Sequence, residues 1–227
     1  MYKRQIAKGM KWRKEKNCQH WTVPYLPIDP EDVGRVYEAD VIRINSQSGK
    51  GGIGYILENQ FGIIMPPNMR ETVGYLVKNV SDNAHRELMP SEVYNVFEKT
   101  FINKQSPVSL KEAHYVQKDG IEADVTIEYN GEIINEKAHG NGRLNAVSVC
   151  MKKMLGIEYV LHTYTEHAME EKATSKAVSY VGIKDNNGKN FWGVGIATDI
   201  IDSSLKALVS AVTVSYTHLT LPTKLEV

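Results

Sequence analysis

Gly140-Asn141-Gly142 stands directly ahead of a run with helical apolar spacing, so three small residues present consecutive backbone amides where a helix begins. Amides converging at the positive end of a helix dipole suit a carboxylate. The same triplet also serves as a plain glycine-rich passage from strand to helix, with Asn141 as the expected N-cap. Tyr25, between Pro24 and Pro27, carries a phenol able to donate or accept a hydrogen bond, the chemistry of a positioning residue or proton relay, with a packing anchor as the alternative. Ser48-Gly49-Lys50-Gly51-Gly52 has the lysine of a phosphate loop, but position 44, where that pattern needs glycine, is Ile; a structural turn and helix cap is the reading. His162 and Glu166-His167 come nearest to a metal signature. HTYTEH is one residue too long for the HxxEH pattern, and a regular strand sends positions 162 and 167 to opposite faces, so no metal site is expected.

The elements that must position these residues follow from periodicity. Pro24, Pro27 and Pro30 exclude a helix interior or central strand, which predicts an extended, rigid segment whose Trp21, Tyr25 and Leu26 dock on another surface. Helices are expected over 49–59, over 69–80 through Val73, Leu76 and Val77, and after Pro90 through Val93, Val96, Phe97 and Phe101. Beyond Gln105-Ser106-Pro107 the period changes to two. Ile121, Ala123, Val125, Ile127 and Tyr129 alternate with polar residues, and Asn130-Gly131 supplies a type I′ turn into Glu132–Ala138. Leu144, Val147, Met151, Met154 and Leu155 then form a helical stripe stopped by Gly156. The order recurs with Lys176–Lys184, Asn187-Gly188, Phe191–Ala197 and a helix through Ile201, Leu205, Leu208, Val209 and Val212, which Thr198 or Asp199 caps. Its small face of Ser203, Ser204, Ala207, Ser210 and Ala211 reads as a helix–helix or subunit contact. The fold class is α+β, with small helical linker subdomains ahead of a duplicated β-hairpin-plus-helix (βββα-type) domain.

Composition narrows the class further. The 227 residues are 42% hydrophobic and 24% charged, with 27 basic against 27 acidic side chains, an ordinary globular balance that offers no general attraction to nucleic acid. No apolar run approaches the ~18 residues that a membrane span needs. Cys18 and Cys150 form no CxxC pair, which fits unpaired thiols in a reducing compartment and a cytoplasmic location. The basic run from Lys3 to Lys16 reads as a solvated helix face.

VPYLPIDPEDVGR, RINSQSGKGG, GNGRLNAV, YTEHA and WGVGIATDI, in that order, resemble the linker and C-terminal regulatory region of the long-form 2-isopropylmalate synthases over roughly residues 6 to 212. The resemblance implies an enzyme that condenses acetyl-CoA with 2-oxoisovalerate, the first committed step of leucine biosynthesis, on a divalent metal in a catalytic barrel, and that leucine inhibits. It implies no cofactor in this chain, whose expected partners are the missing barrel, leucine as effector and a second copy in a homodimer; without the barrel the chain is expected to be inactive. It makes Tyr25 a residue assisting catalysis in the neighbouring subunit, although the family's accompanying histidine falls at about Tyr2. It places Gly140, Asn141, Gly142, Leu144, Leu161, Tyr164, Ala168, Ser175 and Ala177 around the leucine. Asn145 stands where the family usually has a small apolar residue or Asp, which leaves the ligand preference open. Leu161 and Tyr164, three apart, fall on opposite faces of a regular strand, so sharing one pocket requires a bulge or an interface between subunits; the interface is the favoured reading.

The expected division is a remnant of the barrel end and linker start at 1–20, a proline-rich linker at 21–62, a helical subdomain at 63–105, the leucine-binding dimerisation domain at 106–213 and a non-native tail at 214–227. Two alternatives stand beside this reading: the isoleucine-answering region of a citramalate synthase, and a stand-alone module that senses a small molecule and dimerises.

Overall fold

The computed structural model describes residues 2–18, 20–35, 50–117, 119–170, 172 and 174–220. Ser48 and Gly49, with most of RINSQSGKGG, lie outside them. The chain forms two compact units, Met1–Arg43 and Ile44–Val227, and the fold class is α+β.

In the first unit, helix α1 (Tyr2–Lys16) is followed by the proline segment. That segment is not simply extended. It turns at Pro24-Tyr25, where the Leu26 amide donates to Val23 O at 3.3 Å, and then enters a 3-10 helix, Pro30–Val33. Tyr25 has φ +65°, so the prolines flank a left-handed residue and do not hold one straight rod. Trp21 Nε1 donates to Leu26 O at 2.7 Å and lies under the Arg13 guanidinium, whose Nη1 also reaches Asp29 at 3.2 Å. Gly9 lets the helix approach, since a Cβ there would stand 2.8 Å from Pro24 Cδ.

The second unit opens with three helices, α2 (Lys50–Phe61), α3 (Pro67–Ala84) and α4 (Pro90–Phe101). The last two start with proline at the first helical position, where its missing amide costs nothing. Ile56, Leu57, Met69, Val73, Val77, Val93 and Phe97 are the buried stripes of the three helices. Glu92 accepts from the Met89 amide at 2.9 Å and pairs with both terminal nitrogens of Arg86. These contacts, Arg86 foremost, hold the Glu92 carboxyl down to about 2 from an ordinary 4.5. A depressed carboxyl stabilises the folded state above its unfolded pKa, so this contribution fades as pH falls from about 4.5 to about 2. Glu92→Gln should therefore flatten the acid limb of stability in that window, measured by urea unfolding at stepped pH. An unchanged slope would show that the pair contributes nothing.

Two βββα repeats follow. β1 (Val108–Gln117), β2 (Ile121–Tyr129) and β3 (Glu132–Gly140) form an antiparallel sheet in sequence order, covered by α5 (Arg143–Leu155) on β2 and β3. β4 (Tyr159–Ala168), β5 (Ala177–Asp185) and β6 (Asn190–Ala197) form the second sheet, with α6 (Ile200–Thr220) packed on β5 and β6. Asn130 and Gly131 both have positive φ, as a type I′ turn demands. The second hairpin is longer: Gly188 alone is left-handed, and the Asp185 carboxylate accepts from the Asn187 and Lys189 amides. Asp199 caps α6, accepting from Ile201 and Asp202 at 2.8 and 3.0 Å. α6 continues to Thr220, beyond the boundary expected at 213, and Tyr216 meets the Tyr129 hydroxyl.

One core joins the two repeats through Val125, Ile127, Val147, Met151, Val181, Ile183, Leu205 and Leu208. The small face of α6 is not a helix–helix contact. It lies on β6, where Gly193 and Gly195 back onto Ser203, Ala207, Ser210 and Ala211. Removing the side chains from the strand lets the helix backbone descend onto the sheet. Beyond β6, Asn103 donates its amide to Val194 O at 2.9 Å, while its side chain accepts from Ile196 N at 3.0 Å and donates to Ile196 O at 3.1 Å.

Candidate functional site

The expected residues fall at two stations in the second unit, with Tyr25 in the first unit. The first station is the β3–α5 junction. Gly142, not Asn141, is the N-cap of α5, and its carbonyl accepts from Ala146 at 2.9 Å. The Asn141 amide is instead taken by Asn145 Oδ1, at 3.3 Å. Asn145 therefore reaches back one turn to close the junction, which moves the amides left without an intrahelical acceptor to the first turn, Gly142 through Asn145. Gly140 is buried because Ala146 N and Asn145 Oδ1 occupy the space where a Cβ would stand, 2.5 and 2.6 Å away. Asn141 and Asn145 are exposed, and Leu144 is half-buried against the shared core.

The second station runs along β4 and β5. Leu161 pairs with Ile183, but Thr163, not His162, pairs with Gly182, and Tyr164 with Val181. The register shift is a bulge at His162, and it reverses the parity argument: Leu161, Tyr164, Glu166 and Ala168 now share one face, opposite Ile183, Val181, Ser179 and Ala177. Leu161 and Tyr164 need no second subunit to be neighbours on a surface. The bulge also puts His162 and His167 on the same, other face, correcting the expectation of opposite faces. His162 packs edge-on to Trp192, with centroids 5.4 Å apart, and burial lowers its pKa. His167 stacks on Tyr180, and its Nε2 accepts from the Ile64 amide at 3.2 Å, which assigns the proton to Nδ1, 3.0 Å from Ala168 O. Neither ring faces the other in a ligand set; among the described residues no group of three or more His, Cys, Asp or Glu stands together as a metal site.

On the α6 side, the Tyr164 hydroxyl donates to Glu166 Oε2. Desolvation beside the helix, and then that carboxylate, push the phenol up to about 12, against hydrogen bonding with Ser204 and Ser179. Ser179 and Ser203 are fully buried and bond at 2.7 Å, so this strip between β5 and α6 is a satisfied polar seam. Ala177 is buried and pairs with Ala168, giving a wall of small side chains. Ser175 differs from the rest: its Oγ accepts from Glu170 N at 2.8 Å and lies 3.2 Å from Lys176 O, so it closes the β4–β5 loop. It borders a separate, polar cavity of about 860 Å³ reaching Glu58, Tyr94 and Glu98. Tyr25 is 60% exposed and borders a groove of about 570 Å³ with Trp12 and Pro24. Glu166 is a residue that the sequence singled out only as part of a rejected metal signature, not as a neighbour of the effector residues. Plain alternation already sets it between Tyr164 and Ala168 on their face, whereas Leu161 joins that face only through the bulge, for which Gly182, whose missing Cβ makes room for the rings of His162 and Trp192, is the signal.

Residues 87–216 match the LeuA allosteric (dimerisation) domain, and residues 2–58 match the alpha-isopropylmalate synthase, post-catalytic domain-like family. The chain is 51% identical over 207 residues to a 2-isopropylmalate synthase of Desulfitobacterium hafniense, covering 91% of this chain and 37% of that protein. It is 45% identical over 218 residues to a 2-isopropylmalate synthase of Helicobacter hepaticus and 40% over 215 to one of Clostridium acetobutylicum, each covering 91% of this chain and 38% of the relative. The chain thus spans under two-fifths of the length of these curated relatives. No described helix is long and apolar enough to cross a membrane. The domain match, the two βββα repeats and the glycine-fronted α5 converge: this chain belongs to the LeuA allosteric (dimerisation) domain family and corresponds to a regulatory region of the 2-isopropylmalate synthases.

Proposed function

We propose that the chain senses leucine on behalf of a 2-isopropylmalate synthase and acts as a homodimer. The observation that carries this reading is the half-covered face holding Leu161, Tyr164, Ala168 and Ala177, with Leu144 bordering the same core. An isobutyl group laid on that face buries apolar surface worth roughly 1.5–3 kcal/mol. The first-turn amides of α5 suit the ligand's carboxylate. The β3–α5 junction and the β4–β5 face are separate stations on one chain, so the proposed pocket forms between paired copies, each giving one station. In the whole enzyme, leucine then restrains the segment bearing Tyr25, and a coupling of about 1–3 kcal/mol lowers the rate of condensing acetyl-CoA with 2-oxoisovalerate.

Calorimetry with leucine and with isoleucine tests the reading. Saturable leucine binding, at one leucine per station pair and with isoleucine a weaker competitor, is the expected result. Absence of binding at millimolar leucine removes the sensing role, and tighter isoleucine binding transfers it to a citramalate-type effector. Methyl placement separates such ligands by about 1–3 kcal/mol, well within calorimetric reach.

A further inference from the structure

We propose that Glu166 receives the ammonium group of the effector, and that this carboxylate makes the site choose an α-amino acid over the 2-oxo acid of the same carbon skeleton. The inference rests on the proposed binding of a free amino acid to this face of the second sheet.

α6 lies over β5 and β6, so the same face of β4 forms a ledge beside the helix. The ledge carries Tyr164, Glu166 and Ala168, which share a face by alternation, and Leu161, which the bulge at His162 brings into line with them. Three of these four side chains are apolar or aromatic, and Glu166 brings the ledge its formal charge. Among the described residues Glu166 accepts a hydrogen bond from Tyr164 and makes no ion pair with a cation. A carboxylate on a surface that a ligand or partner covers costs free energy unless a cation comes with the cover. An amino acid brings that cation, whereas its 2-oxo analogue brings a second acceptor.

The neighbouring geometry favours the same atom. Tyr164 occupies Oε2, which leaves Oε1 and the remaining acceptor capacity for an N–H donor. The phenol, held protonated through the neutral range, stays a donor and does not compete for the ammonium. Glu166 pairs across the ladder with Ser179, two cross-strand pairs and so one step on the same face from Ala168 and Ala177, whose short side chains leave room for the ligand's α-carbon. Carboxylate, ammonium and side chain of the effector would then each have a distinct protein partner: the first-turn amides of α5, Glu166, and the apolar wall.

The test is calorimetry on the full 227-residue chain, parent and Glu166→Gln, with leucine and with 4-methyl-2-oxopentanoate as probes. The expected result is a parent that prefers leucine, and a variant whose leucine affinity falls roughly 10- to 100-fold, as for a lost charge-assisted hydrogen bond, while the oxo acid binds equally well or better. A melting curve that superposes on the parent's shows that the loss is not unfolding. Equal leucine affinity in parent and variant overturns the role of Glu166 and leaves leucine sensing intact, as does an equal loss of both ligands. A parent that binds no leucine instead removes the underlying reading.

Discussion

Gly195→Val is expected to leave the second unit without a stable fold, and Gly195→Ala to cost more than about 3 kcal/mol, at the upper end for overpacked cores. A Cβ at this position meets the Ser203 carbonyl oxygen and stands 2.6 Å from the Ala207 amide nitrogen and 2.8 Å from the Ser203 carbonyl carbon. These are backbone atoms of α6, so no side-chain rotation relieves them. The helix has to rise, and Leu205, Leu208 and Val209, all buried, rise with it. Gly51 provides the control, because it sits in α2 with nothing within 4 Å of a Cβ; Gly51→Ala should be neutral or stabilising by about 0.5–1 kcal/mol. Urea unfolding of the three variants gives the answer, and a Gly195→Ala protein as stable as the parent would refute the packing account.

Gly140→Ala should come second, and its effect should divide between stability and ligand. The added methyl enters the space held by Ala146 N and Asn145 Oδ1, breaking the bond from Asn141 N and tilting the first turn of α5. A stability loss of about 1–3 kcal/mol is expected from overpacking. Leucine affinity should fall by at least about tenfold, since a charge-assisted bond to the helix amides depends on their aim. Calorimetry and thermal melting together separate the two effects. Undiminished leucine affinity in a destabilised Gly140→Ala protein would move the carboxylate away from this junction.

Local chemistry made much of the fold legible. Asn130-Gly131 announced its hairpin because both residues tolerate the left-handed backbone, and Gly156, at φ +62°, ended α5 where the apolar stripe ended. The alternation along β2 was clear because one of its faces meets α5 and the other is only half covered. β5 gave no such alternation. It is buried on both faces, by α6 on one side and by the layer carrying Ile64 on the other. The site was less legible, because a bulge is an event of pairing between strands and neither His162 nor Thr163 carries the mark of one. The N-cap of α5 slipped by one residue for a related reason: Asn141 has the right side chain, but Asn145 captures its amide and hands the cap to Gly142.

The clasp of Asn103 on Val194 and Ile196 has a consequence for assembly. A sheet with two open margins can recruit a copy on each side, and such head-to-tail addition has no natural end. Asn103 occupies part of the β6 margin with its own backbone and amide, so a strand adding there would first have to displace it.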